Sequence, residues 1–260
     1  MLFIFLVFSS LLNIYSETTN TVPKENPKIS IQKVEEAKKK AMLMLNQKLK
    51  NLDINKMYLG YKTEPIINPN LSYVADRLYG KKTAKNTLVI FSDFACGHCK
   101  IVSKDLMSRV DENKDDVNLK YVFFPLDNTC NKNLAGKLSD YSCPAFKLAL
   151  CSEKVGKLKE AILYLYEKNP LNVKGKIFDQ KSFISSMEKD LKVSGMQECL
   201  NSDWLKKKVE QENLIYKGLT IPGTPIVLLN GRKLNPIYKS KVLFKEFIRK
   251  VNLEKDSNRN

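Results

Sequence analysis

Cys96 and Cys99, separated by two residues, are the side chains of this sequence best suited to covalent chemistry. They follow the apolar run Leu88 to Phe91, which is typical of a strand covered on both faces. If a helix begins at Cys96, its thiol faces unpaired backbone N–H groups and the positive end of the helix dipole. That environment favours the thiolate, which is the nucleophile of thiol–disulfide exchange. The spacing therefore predicts a redox-active pair at a strand-to-helix turn.

The elements that must position this pair form a β-α-β unit. The sequence predicts a strand over 87–94, a helix from about Gly97 to Asn113, and a second strand over 117–124 that Pro125 stops. A helix between two neighbouring strands implies that the strands are parallel and that the crossover is right-handed.

The following stretch is predicted to be helical, and the chain then returns to strands. Apolar residues at helical spacing indicate helices over about 144–168, 183–191 and 203–217. A strand over 226–229 precedes Asn230-Gly231, which is a hairpin signal, and a short return strand follows. A terminal helix is predicted over 241–253, and the charged tail 254–260 is expected to fray.

The order β-α-β, helices, β-β-α predicts an α/β protein with a thioredoxin fold. The helices between the two halves form an insertion at about 126–202. The predicted thioredoxin-like domain covers residues 71–253.

The N-terminus predicts export. Leu2 to Phe8 is an unbroken apolar run, and Ser16 is a small residue at a plausible cleavage point, so residues 1–16 resemble a signal peptide that lacks a basic n-region. An uncleaved anchor is the alternative, although a membrane span needs about 20 residues. Polar residues 17–29 are predicted to form a linker. The expected location is periplasmic or otherwise extracytoplasmic.

Residues 30–70 are predicted to form a helical extension. Ser30 is a candidate N-cap for a helix to about Leu52, and residues 57–70 contain a glycine and two prolines that indicate irregular structure. The helix either packs on its own domain or serves for docking or dimerisation.

The charge balance points to no particular partner. The chain has 44 basic and 28 acidic residues and a net charge of +16, but its lysines are scattered along the whole length. No basic stripe with interleaved aromatic residues is present, so we expect no nucleic-acid partner. Six cysteines in an exported chain indicate disulfide bonds and redox chemistry.

The other four cysteines can be paired in part by geometry. Cys143 and Cys151 lie about 12 Å apart along one predicted helix, whereas a disulfide needs Cα atoms within about 7 Å. Two connectivities remain, and we prefer Cys130–Cys143 with Cys151–Cys199, because it closes a short local loop. The other joins Cys130 to Cys151 and Cys143 to Cys199. As a further alternative, Cys130–Cys143 is a second redox pair that relays electrons to a membrane partner.

Four motifs together resemble the thioredoxin-fold thiol:disulfide oxidoreductases, in particular their exported DsbA-like branch. These are residues 91–100 around the cysteine pair, Gly223-Thr224-Pro225 before a strand, the hairpin Asn230-Gly231-Arg232, and the cysteine-containing insertion after Phe124-Pro125. The insertion looks like that of DsbA-like proteins linked with vitamin-K-epoxide-reductase-type partners. The resemblance covers roughly residues 80–252.

The resemblance implies roles that the chemistry supports. Cys96 is the exposed nucleophile, Cys99 resolves the mixed disulfide, and Gly97 allows the tight turn between strand and helix. His98, the only histidine in the chain, can stabilise the Cys96 thiolate by charge or by a hydrogen bond. Asp93 could accept the proton of Cys99, but a hydrogen-bonded carboxylate at the end of the strand is an equally good interpretation.

The resemblance also implies a substrate platform. The proline of this loop is cis in the superfamily and faces the active-site disulfide. Pro225 is therefore expected to be cis, and to present the backbone of Thr224 to an extended substrate as an added strand.

Three functions follow from these residues. The first is an exported enzyme that forms disulfides in secreted proteins, acts on their unfolded or reduced chains without a cofactor, and is recycled by a membrane quinone-linked thiol oxidase. The second is a disulfide isomerase or reductase with the same site, which dimerisation through the N-terminal helix would favour. The third is a soft-metal-binding chaperone that uses Cys96, Cys99 and His98, although no distant ligands are evident.

Overall fold

The computed structural model describes residues 27–50, 54–74, 77–170 and 178–257. They belong to two units, Met1–Asp53 and Ile54–Asn260. The predicted signal peptide, residues 1–16, and the first ten residues of the linker, 17–26, lie outside the described residues. Among the described helices, none has the length and apolar character that crossing a membrane requires.

The first described element is helix α1 (Pro27–Lys50). It begins ahead of the predicted N-cap at Ser30, so residues 27–29 are helical and the linker prediction was wrong for them. Proline is well suited to the first helical position, because its missing N–H would be unpaired there in any case. The side chains of residues 33–44 are all exposed.

Helix α2 (Ile54–Thr63) overlaps the stretch 57–70 that the sequence predicted to be irregular, and this prediction was wrong for residues 57–63. Residues 64–70, which contain both prolines, are irregular as predicted. Tyr58 and Tyr61 are buried, and their ring centroids lie 6.2 and 5.4 Å from that of Phe247. Packing of two aromatic rings on the terminal helix outweighs the loop signal of the glycine. The compact unit consequently begins at Ile54, ahead of the predicted boundary at residue 71.

The sheet has five strands, which are β1 (Leu78–Tyr79), β2 (Asn86–Ser92), β3 (Val117–Phe123), β4 (Ile226–Leu229) and β5 (Arg232–Lys233). Their order across the sheet is β1-β3-β2-β4-β5. Strand β2 pairs with β3 in parallel and with β4 in antiparallel orientation, as the predicted β-α-β and hairpin units require. The two edge pairs, β1 with β3 and β4 with β5, are antiparallel.

Helices surround this sheet, and most of them form the insertion between β3 and β4. The helices after α2 are α3 (Gly97–Glu112), α4 (Ser142–Lys154), α5 (Leu158–Glu167), α6 (Gln180–Leu191), α7 (Met196–Leu200), α8 (Asp203–Ile215) and α9 (Lys241–Ser257). Two short 3-10 helices cover Leu71–Val74 and Pro236–Lys239.

Several helix boundaries differ from the prediction, two of them for clear physical reasons. The single helix predicted over 144–168 is divided into α4 and α5, because Gly156 between them adopts a left-handed conformation with φ of 71°. The tail was predicted to fray from Glu254, but α9 continues to Ser257. An ion pair of 2.8 Å between Lys250 and Glu254 supports this additional turn.

Both faces of the central strands are covered, which explains their continuous apolar sequence. Alternate residues of β2 and β3 contact two separate clusters, since side chains of a strand point alternately to its two faces. The face towards α3, α4 and α5 carries Leu88, Ile90, Leu119, Tyr121 and Phe123. The opposite face carries Val89, Phe91, Val122 and Phe124, together with Ile215 and Tyr216 from the end of α8.

Two disulfide bonds hold the insertion together. Cys130–Cys143 joins the loop after β3 to the first turn of α4, and Cys151–Cys199 joins α4 to α7. These are the bonds of the preferred connectivity.

A buried ion pair adds a polar link that the sequence analysis missed. Arg77 binds both carboxylate oxygens of Glu212 in α8, at 3.0 and 2.7 Å, and also contacts Glu153 in α4 at 2.5 Å. Arg77 and Glu212 are fully or almost fully buried, so both depend on this pairing.

Candidate active site

The cysteine pair lies at the N-terminus of α3, where the sequence placed it. Cys96 is the N-cap residue, with extended backbone, and its sulfur accepts a hydrogen bond from the backbone N–H of Cys99 at 3.2 Å. Cys96 is half-buried, whereas Cys99 is completely buried. The two sulfurs are not bonded to each other in this structure. One cysteine is thus open to a substrate and the other is enclosed.

Electrostatics separate the two thiols further. The Cys99 thiol, which hydrogen-bonds to the Cys96 sulfur, is the main cause that lowers the pKa of Cys96 to about 6. Burial opposes this shift, while the Thr224 side chain and the backbone N–H of Cys99 add to it. Burial is also the main cause that raises the pKa of Cys99. At neutral pH Cys96 is therefore a thiolate and Cys99 keeps its proton.

The loop before β4 completes the site. The peptide bond between Thr224 and Pro225 is cis, which confirms the prediction. The Cys96 sulfur lies 3.5 Å from the backbone carbonyl oxygen of Thr224, to which it donates a hydrogen bond only while it is protonated. The Thr224 side chain lowers the pKa of both Cys96 and Cys99, so its hydroxyl lies close to the two sulfurs. Binding of substrate by this loop stays a prediction.

Asp93 is a structural anchor of the active-site turn. One carboxylate oxygen accepts hydrogen bonds from the Ala95 N–H at 2.6 Å and the Ser142 hydroxyl at 3.1 Å, and the other accepts from the Leu126 N–H at 2.7 Å. Its backbone carbonyl accepts from the Cys96 N–H at 3.2 Å. Burial raises the pKa of Asp93. With both oxygens occupied, the carboxyl fits the hydrogen-bonded interpretation rather than the proton acceptor of Cys99.

Gly97 and His98 are both exposed on the first turn of α3. A Cβ added at Gly97 would contact nothing within 4 Å among the described residues, so no close approach requires a glycine at this position. Within the part of the chain that the structure describes, the His98 side chain forms no hydrogen bond. Its effect on the Cys96 thiolate therefore stays a prediction.

The remaining cysteines lie away from solvent. Cys130 and Cys143 are 0 and 5% exposed, which is unfavourable for a pair that must exchange with a membrane partner. The described residues contain no group of three His, Cys, Asp or Glu side chains that could hold a metal ion.

Sequence reasoning missed a group of buried hydroxyl side chains near Cys99, formed by Ser92, Ser103, Tyr121 and Tyr166. They come from four different elements, so no local motif connects them. The pairing of β2 with β3 and the packing of α5 on α3 bring them together.

A reactive N-cap cysteine, a buried partner and a cis-proline loop on this sheet define a thiol:disulfide oxidoreductase. The family model described as thioredoxin matches residues 72–248, and the chain belongs to this thioredoxin family. No curated protein matches the sequence.

Two solved structures illustrate the fold. Oxidised BdbD from Bacillus subtilis is 19% identical with a TM-score of 0.56, and the match covers 72% of this chain and 97% of BdbD. The catalytic domain of ScsC from Proteus mirabilis is 20% identical with a TM-score of 0.50, and that match covers 68% and 93%. At these identities the likeness shows the fold.

Proposed function

We propose that this chain is an exported oxidoreductase that introduces disulfide bonds into secreted proteins through Cys96 and Cys99. The observation that carries the proposal is the contrast between the two sulfurs. A pKa of about 6 makes Cys96 a good leaving thiolate, and burial keeps Cys99 out of reach of substrates. Such stabilisation of the reduced form favours oxidation of a substrate.

The exchange proceeds in two displacements. A substrate thiolate attacks the Cys96 sulfur of the oxidised enzyme, the bond to Cys99 breaks, and Cys99 takes the electron pair and then a proton. A second substrate thiolate attacks the substrate sulfur of this mixed disulfide and expels Cys96 as a thiolate. The substrate leaves with a disulfide, and the enzyme has gained two electrons.

The loop at Thr224 and Pro225 is the proposed substrate platform. The Thr224 carbonyl lies 3.5 Å from the Cys96 sulfur, so a backbone that pairs with this loop brings its own cysteine to Cys96. Unfolded or reduced chains are the proposed substrates, because pairing through the backbone does not depend on the side-chain sequence.

Two features support an extracytoplasmic location. One is the apolar run Leu2 to Phe8 with a plausible cleavage point at Ser16. The other is the presence of two structural disulfides, which persist in oxidising compartments. A membrane quinone-linked thiol oxidase is the proposed acceptor of the electrons.

Isomerase or reductase activity is the second candidate. Helix α1 favours it, because Met42, Leu43 and Met44 are exposed apolar residues that a second copy of the chain could cover. An oxidase is expected to be a monomer with a reduction potential of about −120 mV, and an isomerase to be a dimer with a reduction potential of about −180 mV.

The test is oxidation of a reduced, unfolded protein by the purified oxidised chain. Wild type is expected to form disulfides in the substrate, and Cys96→Ala to form none. Cys99→Ala cannot be oxidised in this way, so it is tested in the opposite direction, with a substrate that already carries a disulfide. Its Cys96 thiolate is expected to attack that bond and to accumulate a mixed disulfide, because the resolving sulfur is missing. The Cys151→Ala/Cys199→Ala double variant serves as the control for cysteine loss and keeps activity. Full activity in Cys96→Ala would exclude the proposed site.

A further inference from the structure

The proposed reaction leaves Cys99 as a thiolate in the protein interior, and the buried hydroxyl groups lie beside it. Ser92 ends β2, Ser103 lies one helical turn after Cys99 in α3, Tyr121 is in β3 and Tyr166 is in α5. All four side chains are between 0 and 3% exposed. Ser92 and Tyr166 hydrogen-bond to each other through their hydroxyl groups.

The packing of α5 on α3 fixes this arrangement from the helix side. Glu167 forms ion pairs with Lys100, at 2.8 Å, and with Lys104. Cys99, Ser103 and Tyr166 directly precede these three charged residues in the sequence, and all three are buried. Their side chains therefore face inwards together. The ion pairs at the surface hold the two inner hydroxyl groups in register with the cysteine.

The sheet supplies the other two hydroxyl groups on the same side. Ser92 pairs with Phe123, and Ile90 pairs with Tyr121, in the parallel ladder of β2 and β3. Side chains two residues apart in a strand point to one face, so Ser92 and Tyr121 both face α3 and α5. Tyr121 belongs to the core cluster that contains Cys99.

Electrostatics show that the groups are close to one another. Burial raises the pKa of Tyr121 and of Tyr166, the Cys99 sulfur adds to the increase at both, and the Ser103 hydroxyl opposes it. Among the described residues, the Ser103 and Tyr121 hydroxyl oxygens have no regular hydrogen-bond partner. Both therefore have unused capacity to donate to a new anion in this interior.

Tyr121 borders an open cavity of about 290 Å³, whose lining also includes Arg77, Tyr79 and Lys159. An open cavity of this volume has room for several water molecules, and the charged and hydroxyl groups of its lining can bind them. The Tyr121 hydroxyl itself is buried. Tyr121 therefore lines this cavity and also belongs to the core cluster that contains Cys99.

We propose that Tyr166 and Ser103 stabilise the Cys99 thiolate by donating hydrogen bonds, and that Tyr121 and Ser103 pass a proton to it from water in the cavity. This inference rests on the proposed function, since it concerns the moment at which the Cys96–Cys99 bond opens. The bond breaks, and Cys99 carries the electron pair. The Cys99 sulfur takes the hydroxyl proton of Ser103, and Ser103 takes the hydroxyl proton of Tyr121. Tyr121 then takes a proton from an acid in the solvent. No oxygen is left charged.

The test measures the opening of the oxidised Cys96–Cys99 bond by glutathione in a single turnover, in H₂O and in D₂O. Tyr166→Phe and Ser103→Ala are each expected to slow the opening by about tenfold, because a hydrogen bond to a charged sulfur is lost. The solvent isotope effect is expected to shrink in Ser103→Ala and Tyr121→Phe, which interrupt the proton route. Tyr164→Phe is the matched control on α5, since the Tyr164 ring packs against Phe183 at 5.8 Å, and it should behave as wild type.

The outcomes separate the inference from the proposed function. Wild-type rates and isotope effects in the three variants would overturn the inference alone. A slower reaction with an unchanged isotope effect in Ser103→Ala and Tyr121→Phe would also overturn the proton route, because a structural role explains it. Circular dichroism checks that each variant is folded, and Ser103→Ala removes only one oxygen. If wild type fails to open with glutathione, the proposed function itself is wrong.

Discussion

The redox pair contains one cysteine buried in a helix and the Cys151–Cys199 bond contains two, and the environments of the two pairs differ. Cys99 and Cys151 are both 0% exposed. Their partners are different, because Cys96 is a half-buried N-cap residue whereas Cys199 lies within α7 and is 9% exposed. Burial of one sulfur is therefore common to a reactive and a structural pair. Reactivity depends on the second sulfur, which needs a helix N-terminus and an open path to substrate.

The two regions meet at Asp93. Its carboxylate binds the Leu126 N–H and the Ser142 hydroxyl, and both belong to the insertion that the disulfides hold. Ser142 directly precedes Cys143, so the Cys130–Cys143 bond lies next to the anchor of the active-site turn. The Cys130–Cys143 bond is therefore placed to support the reactive pair through Asp93.

The largest expected effect is selective reduction. Brief treatment of the oxidised chain with glutathione should reduce Cys96–Cys99 at least about a hundredfold faster than either structural bond, because a thiolate must reach the sulfur that it attacks. Alkylation followed by peptide mass spectrometry should find label at Cys96 and Cys99 first. Early label at Cys130 and Cys143 would instead support a second redox pair, and the contrast between the regions would be lost.

A smaller effect is expected on stability when the Cys151–Cys199 bond is removed. The double variant Cys151→Ala/Cys199→Ala should lose about 2–4 kcal/mol of unfolding free energy, because the bond closes a loop with a sequence separation of 48. Urea titration of both proteins measures the loss. Thiol exchange should continue below the unfolding transition, since the bond does not contact Cys96.

Removal of the Cys130–Cys143 bond provides the comparison, since it spans a separation of only 13 and should cost less. An equal loss in the two double variants would contradict the loop-length argument. A loss of exchange in folded Cys151→Ala/Cys199→Ala would show that this bond takes part in the chemistry.

The site could be predicted where its residues are close in sequence. The strand, the turn and the helix around Cys96 and Cys99 form one continuous stretch, and an N-cap position follows from local backbone geometry. The cis bond at Pro225 was inferred from a resemblance, because only a few per cent of bonds before proline are cis. The parallel ladder followed from the length and type of the crossover.

The rest depended on contacts between distant segments. Helix α2 contains a glycine, and its stability depends on the burial of Tyr58 and Tyr61 against α9. Arg77 and Glu212 are 135 positions apart in the sequence, and a single charged residue in a sequence indicates a surface position. The hydroxyl groups near Cys99 also could not be predicted, because no periodic pattern in the sequence indicates which serine or tyrosine faces the core.

The smallest expected effect is on the pKa of Cys96, which is the property that distinguishes Cys96 from the structural cysteines and which the Thr224 side chain influences. This side chain lowers the pKa of Cys96, and its hydroxyl oxygen has no regular hydrogen-bond partner among the described residues, so it is free to donate to the thiolate. Thr224→Val should therefore raise the pKa of Cys96 from about 6 by about one unit. The rate of iodoacetamide alkylation of the reduced chain as a function of pH measures this pKa.

The pKa of Cys96 is expected to rise and not to fall, because a donated hydrogen bond stabilises the thiolate and its removal favours the thiol. Below the shifted midpoint, alkylation of Thr224→Val should be about tenfold slower than that of wild type, and the two rates should converge at alkaline pH. Thr220→Val is the control, because Thr220 is an exposed threonine of the same loop. Equal midpoints in the two valine variants would show that the side chain of Thr224 does not contribute to the Cys96 pKa.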